Sequence, residues 1–318
     1  MVIKSLIILS LLFNSVGLHG LSAKLDDAVV RDRSGAEKVA GAASDVHIGL
    51  PDIMPRPKVR EGALRASANA KQYLLIDADS GVVLAQNGKN TQVSIASTTK
   101  IMTAIVALEN YELADVATIS ADATSQVPSV AYLKIGEKIS IENLLNCLLI
   151  SSGNDAAYAI AEHMNKPNDT GITAFVAKMN EKAKELGMSN AHYDDPAGLS
   201  VESVASAYDL FIVTKYALRN KVFREIIAKK EYVASNTSKT IFHQLKQSNR
   251  LVTQDYWGAI GVKTGFTPEA GHCLVGAATR EGHTLISIVL NTFSNTADAS
   301  AIESKRLLDW GFQNTEWQ

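Results

Sequence analysis

Strand-like segments stand at both ends of the patterned part of this chain and helical segments fill the middle, which restricts how it can close a core. From Lys71 the run Gln72-Tyr73-Leu74-Leu75-Ile76-Asp77 leads through a Ser80-Gly81 turn into Val82-Val83-Leu84-Ala85-Gln86. That is the pattern of a β-hairpin. Three more apolar strands are predicted near the C-terminus, over 259–263, 273–279 and 284–291, the last two joined across Glu281-Gly282. Five strands divided in this way argue for one antiparallel sheet assembled from both ends. Between them the spacing predicts helices over 99–110, 141–149, 155–164 and 172–186, the last with Phe175, Val176, Met179, Ala183 and Leu186 on one stripe before Gly187. Ser206 with Asp209 three residues on reads as an N-cap close to a capping box, and a final helix is expected over about 297–310. The fold class is therefore α+β: a five-stranded antiparallel sheet flanked by helices, with a mainly helical insertion. A site is expected where the two layers meet.

The first residues have another character. Met1-Val2-Ile3-Lys4, an apolar run from Ser5 to Leu18, and small residues around Gly20 and Ala23 form the layout of a secretory signal peptide. Asn14 and Gly17 interrupt the run, which is shorter than the ~20 apolar residues of a spanning helix. No Cys follows it, so no lipid anchor is expected. Residues 1–23 are read as leader, 24–69 as a mostly unfolded tail with Pro51, Pro55 and Pro57, and 70–318 as the folded domain. The expected location is outside the cytoplasm, soluble or wall-associated, without a stable membrane anchor. A formal net charge of -2 without a basic cluster argues against nucleic acid as partner.

Cys147 and Cys273 both lie in apolar segments, so buried free thiols are expected rather than a disulfide or a nucleophile. The seven His residues form no metal-binding pattern, and neither metal nor other cofactor is expected. No Gly-x-Ser-x-Gly elbow supports a Ser-His-Asp hydrolase.

Three short motifs carry the chemistry. Ser97-Thr98-Thr99-Lys100 opens a helix, which sets Ser97 and Lys100 three residues apart on one face. A buried, neutral Lys100 can take the proton of Ser97, and Lys263 is a second cation able to lower its basicity. The same residues also suit an N-cap serine and a surface lysine. Ser152-Gly153-Asn154 falls in a tight turn between apolar helices. There Ser152 can relay a proton and Asn154 can bond substrate or Lys100, although a plain connector fits too. Lys263-Thr264-Gly265 is expected to end a strand whose edge can pair with an extended peptide. Lys263 and Thr264 are then placed to bind a carboxylate, Gly265 permits close approach, and the N–H groups of Ser97 and Phe266 can form an oxyanion hole. A strand ending in a glycine turn is the plainer alternative.

In this order the motifs resemble those of penicillin-binding proteins and serine β-lactamases. Ile95-Ala96-Ser97-Thr98-Thr99-Lys100-Ile101-Met102-Thr103-Ala104, Ser152-Gly153-Asn154-Asp155-Ala156-Ala157 and Lys263-Thr264-Gly265-Phe266-Thr267 with Ala270-Gly271 are similar to the low-molecular-mass D-alanyl-D-alanine carboxypeptidases, over about residues 70–312. The resemblance implies an acyl-enzyme on Ser97, release of D-alanine from a peptidoglycan stem peptide, and acylation by β-lactams. It implies Ser97, Lys100 and Ser152 as catalytic, and Asn154, Lys263, Thr264, Gly265 and Phe266 as substrate-binding. The family's Asn-x-Asn segment corresponds to Gln247-Ser248-Asn249-Arg250, where the first Asn is changed and Arg250 is a candidate carboxylate ligand. Ending at Gln318, without the C-terminal β domain and amphipathic helix of many members, the chain reads as a soluble enzyme. The context Phe266-Thr267 with Ala270-Gly271-His272-Cys273 also resembles the endopeptidase branch, which keeps cleavage of cross-links open. A β-lactamase is opposed by Glu142-Asn143-Leu144-Leu145-Asn146, which precedes Ser152, and by Asp194-Asp195-Pro196-Ala197-Gly198, which lacks the deacylation pattern. A non-catalytic peptidoglycan-binding protein is opposed by intact Ser97, Lys100 and Lys263.

Overall fold

The computed structural model describes residues 56–164 and 171–318; the leader and the tail as far as residue 55 lie outside them. The strands are β1 (Pro57–Val59), β2 (Ala70–Asp77), β3 (Val83–Asn87), β4 (Val93–Ser94), β5 (Val116–Thr118), β6 (Lys138–Ser140), β7 (Val204–Ala205), β8 (Glu231–Ser235), β9 (Phe242–Lys246), β10 (Ala259–Thr267), β11 (Gly271–Arg280), β12 (His283–Thr292) and β13 (Thr315–Trp317). The helices are α1 (Lys100–Asn110), α2 (Ala121–Thr124), α3 (Ile141–Ile150), α4 (Asn154–Glu162), α5 (Gly171–Glu185), α6 (Ala207–Ala217), α7 (Lys221–Ile227), α8 (Arg250–Thr253) and α9 (Ala299–Asn314). A short 3-10 turn, Ala96–Thr99, leads into α1.

The expected five strands form one antiparallel sheet in the order β10-β11-β12-β2-β3. The two ends of the chain meet at β12 and β2, where Ile288 lies opposite Leu74 and Val289 opposite Tyr73. Successive strand residues point to opposite faces, so the continuous apolar runs feed two cores. Leu74, Ile76, Val275, Ala277, Ile286 and Ile288 belong to the core shared with α1, α3, α4 and α6. Leu75, Leu274, Leu285 and Val289 pack with Leu307 and Leu308 of α9 on the other face. Each such leucine, fully buried, contributes about 1.5–3 kcal/mol. Helix α6 begins as expected: Asp209 N donates to Ser206 Oγ, and Ser206 N donates to the Asp209 carboxylate at 2.9 Å. Cys147 and Cys273 are buried free thiols, and burial pushes the Cys273 thiol up to about 11. Among the described residues no helix is long and apolar enough to cross a membrane.

Two expectations need correction, and one stretch left unassigned carries structure. The folded part starts before residue 70: β1 pairs antiparallel with β13, Asn69 N donates to Glu303, and Trp310 Nε1 donates to the Leu64 carbonyl. The pairing partners lie at the far end of the chain, so local composition carries no trace of them. Lys263-Thr264-Gly265 does not end its strand, because β10 continues to Thr267 and pairs with β11 as far as Gly271. The stretch after α6 also folds: α7 is followed by the β8–β9 hairpin, anchored by buried His243, whose Nε2 lies 2.8 Å from Glu137 Oε1.

Candidate active site

Ser97 sits in the 3-10 turn and Lys100 is the first residue of α1. The turn is held by Thr98 Oγ1, which donates to Ile95 O at 2.7 Å, and Ala96 adopts φ 45°. Left-handed backbone at a β-bearing residue is unfavourable, so the surrounding packing must impose it. A loop does so from one side: a Cβ on Gly198 (φ 76°) would lie 1.9 Å from the Ala96 carbonyl oxygen. From the other side β10 passes so close that a Cβ on Gly265 would lie 3.1 Å from Ser97 N. The bare strand that the third motif provides is therefore what allows the sheet to touch the serine turn.

Lys100 is fully buried, and its Nζ donates to Ser97 Oγ at 2.8 Å, Asn154 Oδ1 at 2.7 Å and Ala197 O at 2.8 Å. Burial lowers its pKa to about 7, against the opposite pull of the Asp195 and Asp155 carboxylates. At that value a large fraction is neutral near pH 7. The neutral amine keeps two protons for Asn154 and Ala197 and turns its lone pair to the Ser97 hydroxyl, the arrangement a general base requires.

Ser152 lies in the turn between α3 and α4 with φ 62°. Gly153 N donates to Cys147 O, and Asn154 N donates to Ser129 O at 2.6 Å. Buried Asp155 fixes the neighbouring loop by accepting from Ala131 N and Leu133 N. Lys263, 1% exposed, donates to Ser152 Oγ at 2.8 Å and to Thr264 O at 2.8 Å. Its pKa falls well below the ordinary lysine value, first through burial and then through Lys100. Thr264 Oγ1 and Ser248 Oγ share a hydrogen bond of 2.8 Å. Ser248 is held there by its own N–H, which donates to Ile150 O. Phe266 is half exposed, its ring 4.4 Å from that of His272.

All three motifs thus meet at the junction of sheet and helical layer. Asn154 takes the Lys100 option of the two open to it. Arg250 makes an ion pair with Asp298 at 2.9 Å. Sequence reasoning missed Ala197 and read its neighbours only as carboxylates outside the deacylation pattern. Asp195 accepts from the N–H groups of Ala197, Gly198, Leu199 and Ser200 and from Ser203 Oγ, while Asp194 is exposed. That buried carboxylate shapes the loop delivering the Ala197 carbonyl to Lys100. The Asp-Pro-Ala-Gly run was the available signal, since such a turn needs an acceptor and a residue free to take positive φ. Glu142 is exposed in the first turn of α3.

Residues 59–294 match the Peptidase_S11 family, described as D-alanyl-D-alanine carboxypeptidase. The D-alanyl-D-alanine carboxypeptidase DacF of Bacillus subtilis is 34% identical over 254 residues, 78% of this chain and 63% of that protein. This chain therefore spans less than two thirds of that relative's length. The D-alanyl-D-alanine endopeptidase of Pseudomonas aeruginosa is 34% identical over 253 residues, covering 75% of this chain and 76% of its own. The crystal structure of the Streptomyces K15 DD-transpeptidase superposes with a TM-score of 0.74 at 33% identity, over 79% of this chain and all of that one.

Proposed function

This chain belongs to the Peptidase_S11 family, the D-alanyl-D-alanine carboxypeptidases, and on that premise we propose that it is a serine D,D-peptidase that removes terminal D-alanine from peptidoglycan stem peptides through an acyl-enzyme on Ser97. The observation that carries the reading is the fully buried Lys100 amine 2.8 Å from Ser97 Oγ, with a pKa lowered to about 7. Lys100 takes the hydroxyl proton as Ser97 Oγ bonds the carbonyl carbon of the penultimate D-alanine. The developing oxyanion is received by the N–H groups of Ser97 and Phe266. Ser152, held by Lys263, gives its proton to the departing amine and takes the one held by Lys100, the C–N bond breaks, and D-alanine leaves. Water then attacks the ester, and the neutral Lys100 takes a proton from it and returns it to Ser97 Oγ as the acyl group is released. Lys263 and Thr264 receive the substrate carboxylate, Asn154 orients Lys100, and Gly265 lets the peptide lie along β10 as an added strand.

A β-lactam presents the same carbonyl, so it acylates Ser97. Its ester hydrolyses slowly, because the amine of the opened ring stays joined to the acyl group in the cleft, and neither Asp195, bonded to its own loop, nor Glu142, exposed on α3, supplies a separate base. The leader-like start supports a working location outside the cytoplasm, where peptidoglycan lies. Intact mass after incubation with benzylpenicillin is the test. The expected result is one penicilloyl adduct in the wild type, none in Ser97→Ala, and loss of D-alanine release in the same variant. Rapid hydrolysis of the drug without an adduct would point to a β-lactamase. Neither adduct nor hydrolysis would point to a peptidoglycan-binding protein without turnover.

A further inference from the structure

Tyr132 is a bulky residue held where a glycine would be comfortable. Its φ is 63°, in the left-handed region that is unfavourable for any residue with a Cβ. Packing does not compensate: the residue is 74% exposed, and its side chain makes no hydrogen bond, ion pair or ring contact among the described residues. The conformation is imposed by its neighbours. Ala131 N and Leu133 N, one on each side of it, both donate to the buried Asp155 carboxylate, at 2.9 and 3.1 Å. The same carboxylate accepts from Ala156 N in α4, so loop and helix are tied at one point. That point is the second motif. Asn154 N donates to Ser129 O at 2.6 Å, and a Cβ on Gly153 would lie 3.3 Å from Ala131 N. Asn154 in turn holds Lys100, and Ser152 is bonded across the cleft to Lys263 of β10. Tyr132 is therefore one residue away from direct contact with the Ser152-Gly153-Asn154 turn, on the helical wall. Val127 and Ile135, 65% and 69% exposed, leave the same loop apolar to either side of it.

Strained backbone persists where the surroundings over-determine it, and ligand clamps are among the places where it collects. The ligand of this cleft has two unequal sides. On the reading above, the leaving D-alanine offers a methyl group and a carboxylate, and the carboxylate goes to Lys263 and Thr264, which leaves a phenol ring little to cover. The acyl side is longer, because the rest of the stem peptide, or the amide side chain of a β-lactam, continues from the carbonyl carbon that Ser97 attacks. We propose that Tyr132 selects the acyl part of the ligand, its ring closing over an apolar group on that side while β10 holds the peptide backbone from the other. The proposal rests on the serine D,D-peptidase reading and adds a specificity-determining residue to it. A ring that covers the ligand away from the reacting atoms strengthens ground state and transition state alike, so it acts on KM rather than kcat. Glycine adopts positive φ without penalty, so Tyr132→Gly removes the strain together with the ring.

The experiment compares the wild type with Tyr132→Gly and Tyr132→Phe. Stopped flow gives the second-order acylation constants for benzylpenicillin, which carries a phenylacetyl group on the acyl side, and for 6-aminopenicillanic acid, which carries none. D-Alanine release gives kcat and KM for a stem pentapeptide and for acetyl-D-alanyl-D-alanine, and calorimetry gives Tm. The expected result is that Tyr132→Gly lowers the benzylpenicillin to 6-aminopenicillanic acid ratio by about threefold to tenfold, and the pentapeptide to dipeptide ratio of kcat/KM similarly through KM. Tyr132→Phe keeps both ratios, and the Tm of Tyr132→Gly equals or exceeds that of the wild type. Either ratio unchanged in Tyr132→Gly overturns the proposal. A lower Tm in that variant overturns it as well, since the ring would then be supporting its own loop. A wild type that neither drug acylates is a different failure, which removes the peptidase reading itself.

Discussion

The two walls of the cleft each bury a lysine, and they treat it differently. On the helical wall Lys100 has three acceptors and two nearby carboxylates, and its pKa settles at about 7. On the strand wall Lys263 has a hydroxyl and a carbonyl, no carboxylate among the influences that set its pKa, and Lys100 as an adverse neighbour, and it is driven well below its ordinary value. One lysine is thus tuned to exchange a proton near neutrality. The other lacks a counter-charge, which a substrate carboxylate would supply on the proposed reading. Buried cations without partners are costly, so the arrangement prepares the strand wall for an anion.

If the walls were equivalent, removing either amine would cost the same. Lys100→Gln should be the more damaging, slowing acylation by benzylpenicillin by about 10³-fold or more, since it removes the base and leaves Ser97 Oγ without it. Lys263→Gln should slow acylation by about 10²-fold, through loss of one electrostatic contact, with Lys100 still in place. Equal losses in stopped-flow acylation would break the comparison. The finest test concerns Asp195. Wild-type acylation should rise with pH through about 7 as Lys100 loses its proton. Asp195 raises that pKa, so Asp195→Asn should move the rise to lower pH, and a pH–rate profile reads the shift directly. A shift to higher pH would mean that the Asp195 charge is not what holds the Lys100 pKa up.

Much of this was legible where the information is local. The five strands and the Ser206 cap follow from period and from residues three apart, and the Ser97–Lys100 pair spans a single turn. Ser152 and Lys263 are 111 residues apart, and no periodicity links them, so only the recurrence of a motif set could do so. Ala197 acts through its carbonyl, which every residue owns. Asp195 was visible as a carboxylate, but the donors that occupy its oxygens are set by the loop's path. The pairing of β1 with β13 and the anchoring of the β8–β9 hairpin depend on contacts far along the chain, where composition says little.

Strand β10 stands at one margin of the sheet, with no strand hydrogen-bonded beyond it among the described residues. An open margin is the surface through which β-proteins stick to copies of themselves, and chains commonly blunt it with proline, lysine or a covering segment. Here those protections would stand where the peptide must lie. If the peptide docks as proposed, the protein carries a hazard of self-association in the same backbone groups, and a molecule occupying the cleft should also act as an anti-aggregation cap.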